Sequence, residues 1–461
     1  MRWDVLVIGA GQAGAPLAAR LAEAGRRVLL IERQHVGGTC ANYGCTPTKA
    51  LVASARAAHV ARTAERLGVL AGEVTIDFGA VMARKQELVE QWRSSVQRRL
   101  ERAGDRLDVV YGHARFAGQR LVRVNGETHE AETIVVNAGA RATEPPIDGL
   151  ADVPWLDNVR IMELDRLPDH LIVVGGGFIG CEFAQMFRRF GAGVTVIEPA
   201  RHLLGREDEE VSSAVEEAFR DEGIALRLQQ RVAGVVRAEH GMEVMLEGGD
   251  RIEGSHILVA TGRTPNTTDL GCECAGIELD ESGFIAVDDQ YRTSAAGVYA
   301  TGDVTGSPQF THVAWDDHRL LFDLLTGRRS PRRTGRLVPH VTYTDPQVAG
   351  VGLTEREAID RGRKYELASL PFGNIARAIE TDERAGVVRI LIDPADERIL
   401  GATIVGAEAG ELIHIVHALM LARASARILV DGQIAHPAFA EGLQSALMRL
   451  DRFALRSAGA S

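Results

Sequence analysis

"DVLVIGAGQAG", residues 4 to 14, decides how the rest of the chain is read. An unbroken apolar run of this kind suits a strand covered on both faces, as in a parallel sheet. It feeds Gly9, Gly11 and Gly14, a helical pattern to Ala24, a stop at Gly25, and a second apolar run, "VLLIE", that ends on Glu32. The unit recurs as "HLIVVGGGFIG", residues 170 to 180, with Gly175, Gly177 and Gly180, a helix, and a strand ending on Glu198. First glycine and acid are 23 residues apart in both copies, Gly9 to Glu32 and Gly175 to Glu198. A lone G-x-G-x-x-G is a weak signal, but one set between strand and helix with an acid at the next strand end points to dinucleotide binding. The glycines let backbone approach a pyrophosphate, the helix N-terminus offers oriented N–H groups, and the acid accepts from ribose hydroxyls. The competing reading is a doubly wound fold that keeps the loop shape without a ligand.

At 461 residues the chain exceeds one ordinary core and suggests about three domains. Its net charge of −11 and lack of a basic run argue against nucleic acid, whose binders need clustered positive charge. No stretch reaches the roughly 18 apolar residues of a membrane helix, so no membrane partner is expected. Asp4 and the spaced glycines fit a strand and turn better than a signal peptide, and the chain reads as cytoplasmic. Residues 75 to 105 look helical, and "VNAGARATEPPIDGL", 136 to 150, reads as a strand with a Pro/Gly exit. The basic stretch "TGRRSPRRTGRL", 326 to 337, suits an exposed linker. Beyond it, "VPHVTY", "VVRILID" and "ILGATIVG" alternate with "ELIHIVHALMLAR" and "FAEGLQSALMRL", an α+β module suited to an oligomer interface.

Between the loops lies "GGTCANYGCTPTKA", residues 37 to 50. On a regular helix residues five apart have Cα atoms roughly 8 to 9 Å from one another, whereas a disulfide needs about 7 Å or less. Cys40 and Cys45 can therefore bond only across a distorted turn entering a helix. Gly37, Gly38 and Gly44 relax the backbone, and Pro47 suits a first helical turn. Such a bridge at a helix N-terminus is easily reduced. Half of a metal site and two incidental core residues are the alternatives. Cys272 and Cys274 are the only other close pair that could complete a metal site, and no resident metal is expected. With Cys181 they read as small packing residues.

These residues carry a resemblance. "GGTCANYGCTPTK" resembles the redox motif of class I flavoprotein disulfide reductases, the group that holds dihydrolipoamide dehydrogenase, glutathione reductase and mercuric reductase. "GGGFIGCEFA", "ATGRTPN", "TGDV" and "HPAFAE" are similar to that family's other motifs, so the likeness spans nearly the whole chain. "VNAGARATEPPIDGL", "GREDEEV" and "GDVTGSPQFTHVAWDDHRL" look closest to the mercuric-reductase-like branch, which includes reductases that defend against reactive chlorine and hypothiocyanous acid. True mercuric reductases carry a further cysteine pair near the C-terminus; here no cysteine follows Cys274.

The resemblance implies an α/β fold with two Rossmann-like dinucleotide-binding domains and a C-terminal α+β dimerisation domain. An FAD-binding domain would occupy residues 1–150 and 271–335, an NAD(P)-binding domain 151–270, and the dimerisation domain 336–461. Gly9, Gly11, Gly14, Glu32 and Asp303 would hold FAD, and Gly175, Gly177, Gly180 and Glu198 the nicotinamide cofactor, with NADH favoured over NADPH because Glu198 stands where a 2′-phosphate site would want arginine. Arg201 nearby leaves dual use open. Gly38, Thr39, Ala114, Gly139, Gly302, Val232 and Gly262 are implied as further cofactor contacts. Cys45 would face the flavin and Cys40 would meet the acceptor. His436, oriented by Glu441, would be the acid/base and would reach the thiols from the other subunit of a homodimer. Lys49 is one of only three lysines among 52 basic residues. It lies one helical turn past Cys45, where an ammonium beside the flavin would favour its reduced form. Glu182 would pair with it. The plain alternatives are a solvated lysine, a helix-turn histidine and a capping Asp303. Phe178 is either a gate over the flavin or core.

The expected activity is therefore that of an FAD-dependent NAD(P)H oxidoreductase passing electrons through Cys40 and Cys45 to a disulfide, reactive-oxidant or soft-metal acceptor. Dihydrolipoamide dehydrogenase and a flavin-bound redox sensor are the alternatives.

Overall fold

The computed structural model describes residues 2–239 and 241–454. Strand β1, Arg2–Ile8, leads through the first glycine loop into helix α1, Gly14–Glu23, and β2, Val28–Glu32. After them come helix α2, Gly38–Asn42, helix α3, Cys45–Thr63, and the long α4, Phe78–Arg102. Then follow β3, Leu107–Tyr111, and an antiparallel meander of β4, Arg115–Gly118, β5, Leu121–Val124, and β6, Glu127–Val136. The sheet order is β3-β2-β1-β6-β5-β4, and Val298–Ala300 returns from far along the chain to pair parallel with β6.

The second glycine loop sits in its own sheet, in which Ala225–Leu228, Gly193–Glu198, His170–Val174 and His256–Val259 lie parallel. A short antiparallel pair, Ala140–Ala142 with Arg263–Pro265, ties the two halves together. Both loops solve one packing problem. A Cβ on Gly14 would stand 1.9 Å from the Gly9 carbonyl oxygen, and a Cβ on Gly180 1.9 Å from that of Gly175. Gly14 and Gly180 are therefore required for helix to meet strand rather than for touching a ligand, which narrows the role expected of them.

Helix α5, Phe178–Phe190, follows the second loop and is buried on nearly every face. Phe183, Phe187 and Phe190 pack with Phe78 from the start of α4, with ring centroids 6.0 to 6.3 Å apart. Each such side chain contributes about 1.5–3 kcal/mol on burial, so α5 is fastened to the α3–α4 pair by apolar packing as well as by the polar contacts below.

Residues from His340 on form a five-stranded antiparallel sheet with Gln347–Gly352, Ile399–Gly406, Val387–Ile392 and Glu366–Pro371, covered by the helix Ala409–Leu421. Two expectations are corrected here. "FAEGLQSALMRL" is regular helix only over Glu441–Leu447, because the preceding turn is occupied by contacts of Glu441. The stretch 326–337 is more than an exposed linker. Arg336 donates to Asp316 (2.9 Å) and to fully buried Asp317 (2.7 Å), whose other oxygen accepts from the Thr301 hydroxyl (2.9 Å). A buried carboxylate needs such partners, and the arrangement anchors the loop that carries Gly302 and Asp303.

Candidate functional site

The first glycine loop, α2, the start of α3 and the 302–311 segment enclose a cavity of about 480 Å³, within the range of small-molecule sites. Gly9, Gly11, Glu32, Gly38, Thr39, Cys40, Cys45, Lys49, Ala114, Gly139, Glu182, Gly302 and Asp303 all line it. So do Phe178 and Phe310, whose rings lie 6.5 Å apart; Phe178 is exposed, which removes the core reading. Gly175, Gly177, Gly180, Glu198, Val232 and Gly262 are not among its walls, and neither are His436 and Glu441.

The turn needed for the two cysteines is present. Helix α2 stops at Asn42, Tyr43 and Gly44 break the path, and α3 begins at Cys45 with Pro47 in its first turn. A Cβ on Gly38 would meet the Gly11 Cα at 2.7 Å, so this loop packs directly on the glycine loop. Cys40 and Cys45 stand as neighbouring free thiols. They share a proton unequally. The Cys40 thiol hydrogen-bonds to Cys45 and holds its pKa down at about 6, with Thr311 and Lys49 adding to the effect against the cost of burial. Cys40 is pushed up by the same hydrogen bond and by burial. Cys45 also opens α3, where the helix dipole favours a thiolate.

The Thr311 hydroxyl lies 3.0 Å from Cys45 Sγ. A donor to a thiolate stabilises the charged form, so its loss raises the pKa. Replacing Thr311 by valine is expected to raise the Cys45 pKa by about one unit, reducing the thiolate fraction at neutral pH. A pH titration of thiolate absorbance in the dithiol protein reads this, and an unmoved midpoint would contradict it.

Lys49 Nζ donates to both oxygens of Glu182, at 2.9 and 2.8 Å, and Glu182 is 3% exposed. Burial works against the Lys49 ammonium, but the Glu182 carboxylate outweighs it and the pKa is raised. Lys49 lies four residues past Cys45 on α3, as the helical spacing requires.

The acids of the two loops serve the backbone. Glu32 accepts from the Ala10 amide (2.8 Å) and the Gln34 amide (2.8 Å), Glu198 from the Gly176 amide (2.6 Å) and the Ala200 amide (2.8 Å). Each thereby fixes its glycine loop at the strand end. Arg201 is paired with Glu209 at 3.4 Å.

Asp303 is raised in pKa by burial, against the pull of Arg263, which stands 3.5 Å away. Arg263 lines the cavity, and its Nε is buried with no hydrogen-bond partner. An orphaned buried donor and a half-buried carboxylate beside a glycine cradle are a set of polar partners that fits FAD. Asn137, unassigned from sequence, accepts from the Gly14 amide (3.0 Å) and donates to the Thr301 carbonyl (2.9 Å), joining both glycine-containing segments of that cradle.

His436 and Glu441 form a pair outside the cavity. His436 Nδ1 is 3.0 Å from Glu441 Oε1, and Glu441 Oε2 accepts from the Ala438 amide (2.9 Å). His436 is strongly exposed, and its pKa is raised chiefly by its hydrogen bond to Glu441. Of the remaining cysteines, Cys181 and Cys272 are buried as expected, but Cys274 is exposed. The one-turn helix Cys272–Ala275 puts residues two apart on different faces, so Cys274 is not a packing residue. Among the described residues no three His, Cys, Asp or Glu side chains gather as metal ligands, and no helix is long and apolar enough to cross a membrane.

The pyridine nucleotide-disulphide oxidoreductase model matches residues 3–317, and the dimerisation-domain model of the same family matches residues 338–447. The probable pyridine nucleotide-disulfide oxidoreductase RclA of Escherichia coli is 36% identical over 96% of this chain and 98% of its own. A dihydrolipoyl dehydrogenase of Thermus scotoductus is 35% identical over 98% of each chain. A mercuric reductase of Streptomyces lividans is 35% identical over 89% of this chain and 88% of its own. Among solved structures, the copper(II) complex of the HOCl-induced flavoprotein disulfide reductase RclA from Escherichia coli superposes with a TM-score of 0.89, at 34% identity, over 97% of this chain and 99% of that one.

Proposed function

This chain belongs to the pyridine nucleotide-disulphide oxidoreductase family, as a class I flavoprotein disulfide oxidoreductase using FAD and NAD(P)H, and from that membership we propose that Cys40 and Cys45 pass its electrons to a disulfide or sulfenyl-type oxidant. The observation that carries this reading is the adjacent thiol pair beside Lys49, with Cys45 the more acidic. FAD, when bound, supplies a two-electron carrier between the nicotinamide and the thiols. Gly9, Gly11, Gly38, Thr39, Ala114, Gly139, Gly302 and Asp303 hold it, with Arg263 as a further donor. Glu198 fixes the second loop and favours NADH.

The partner subunit's His436 takes the proton of the Cys40 thiol, which the hydrogen bond to Cys45 keeps protonated at rest, and Cys40 Sγ attacks one sulfur of the acceptor, forming a mixed disulfide and expelling the other half as a thiolate or halide-like leaving group. The partner subunit's His436 gives that group its proton. Cys45 thiolate then attacks Cys40 Sγ, releases the second half, and closes the Cys40–Cys45 disulfide. Glu182 holds the Lys49 ammonium beside Cys45 throughout. Phe178, exposed in the cavity wall, would act as an aromatic gate over the flavin. The dimerisation domain makes the protein a homodimer, and His436 and Glu441 lie on it, outside their own chain's cavity. An odd cysteine count with one close pair suits catalysis in the reducing cytoplasm better than a structural disulfide framework.

In the RclA relative, HOCl induction and a copper(II) complex support a reactive-oxidant or soft-metal acceptor here. The dihydrolipoyl dehydrogenase relative favours a second reading, which turnover with dihydrolipoamide at ordinary enzyme rates would promote.

The test is anaerobic titration with NADH. Wild type is expected to develop long-wavelength absorbance from a thiolate against the flavin and to take up two reducing equivalents beyond the flavin. Cys45→Ser is expected to show neither. Identical titrations of the two proteins would remove the disulfide role.

A further inference from the structure

Below Glu182, helix α5 carries two more side chains whose partners converge on one short segment. Glu182 Oε1 accepts from the Tyr343 amide at 2.9 Å. Three residues on, Gln185 Oε1 accepts from the Asp345 amide and its Nε2 donates to the Asp345 carbonyl, both at 2.7 Å. Four residues further, Arg189 Nη1 donates to Asp345 Oδ2 at 2.9 Å. Positions 182, 185 and 189 share one helix face, so α5 reads residues 343 to 345 along its length.

Helix α3 grips the same segment from the other side. Lys49 Nζ lies 4.7 Å from the centre of the Tyr343 ring while both Glu182 oxygens hold it. Seven residues on, Arg56 Nη1 donates to the same Asp345 Oδ2 at 2.9 Å. The charges are balanced without Asp345, because Arg189 also forks onto Glu222 at 2.6 and 2.8 Å and Arg56 also pairs with Glu383. Asp345 is thus shared by two arginines, one on each helix.

A lysine on four methylenes has many rotamers, and an exposed Lys–Glu contact alone fixes it poorly. Lys49 retains one-third of its side-chain exposure. Its direction is set by the third hydrogen bond on Glu182, from the Tyr343 amide, and by the ring beneath the ammonium.

We propose that Tyr343 and Asp345 are positioning residues for the reaction, splinting α5 to α3 so that the Lys49–Glu182 pair stays beside Cys45 instead of turning to solvent. The inference rests on the reading of Cys45 as the flavin-facing thiol. The groups that face Cys45 include Cys40 from α2, Thr311, Lys49 from α3, Glu182 from α5, which works against the thiolate, and the Tyr343 side chain itself. Of these Lys49 is the cation, and it favours the thiolate of both cysteines. Release of Lys49 therefore raises the pH at which Cys45 ionises.

The experiment is a pH titration of the long-wavelength thiolate–flavin absorbance in the two-electron-reduced holoenzyme, with thermal melting measured alongside. Asp345→Asn keeps the side-chain shape and removes the shared charge. Tyr343→Leu removes the ring and keeps the amide, and Tyr343→Phe keeps both. The Asn and Leu variants are expected to move the midpoint up by about half a unit or more, while Phe matches wild type. Lower melting temperatures with unmoved midpoints would reduce the splint to a structural clasp and overturn the inference. Should Asp345→Asn fail to fold, the contrast between Leu and Phe at position 343 decides. A wild type without this absorbance at any pH would instead sink the reading of Cys45, and the inference with it.

Discussion

Replacing Cys40 by serine is expected to cut acceptor turnover by about 10³-fold or more, the scale on which deleting a covalent nucleophile acts, while NADH still reduces the flavin. In the proposed reading Cys40 is the thiol that meets the acceptor. Its partner Cys45 takes hydrogen bonds from Cys40 and Thr311 and sits one turn from Lys49. A serine at position 40 cannot form the mixed disulfide, but it can still donate to Cys45, so the Cys45 thiolate survives. The variant should therefore keep the long-wavelength absorbance and lose the acceptor half-reaction. Cys45→Ser should lose both. Rapid mixing of the NADH-reduced variants with a small disulfide or hypothiocyanite separates the two half-reactions. Reoxidation of Cys40→Ser at the wild-type rate would show that electrons leave by another route.

How much of this site could be read in the sequence depends on the range of the contacts. The glycine loops were legible because strand, turn, helix and acid are local, and a spacing of 23 residues repeated twice is hard to produce otherwise. The break between α2 and α3 was legible from Gly37, Gly38, Gly44 and Pro47. Lys49 emerged from helical spacing and from the scarcity of lysine. Thr311 gave no such signal: a threonine 266 positions from Cys45 carries no period, and only the docking of the 302–311 segment brings it to the thiol. The same holds for Tyr343, Asp345 and Arg263, and for Arg336, whose basic neighbourhood read as linker until its guanidinium met buried Asp317. Cys274 failed for the opposite reason. Its proximity to Cys272 in sequence suggested a shared environment, and a single helical turn separates the two.

Replacing His436 by alanine is expected to lower turnover by about 10²–10⁴-fold, the usual worth of a positioned acid/base, without disturbing flavin reduction by NADH. Glu441 raises the His436 pKa through its hydrogen bond, so the imidazolium persists to higher pH and can protonate a departing thiolate near neutrality. Glu441→Gln removes that support, returns His436 toward its ordinary value, and should move the alkaline limb of the pH–rate profile to lower pH. The location of the pair on the dimerisation domain, outside its own chain's cavity, makes a sharper demand. Cys45→Ser and His436→Ala subunits are each inactive alone, but a mixed dimer holds one cavity with both thiols facing a partner with an intact histidine. In a two-fold dimer with random pairing, half the molecules are mixed and each has one intact site, so about a quarter of the wild-type activity should return when the two are co-expressed. Recovery at that level requires that thiols and histidine come from different chains. No recovery, with mixed dimers verified by differential tagging, would mean that His436 serves the thiols of its own chain or does not serve them at all.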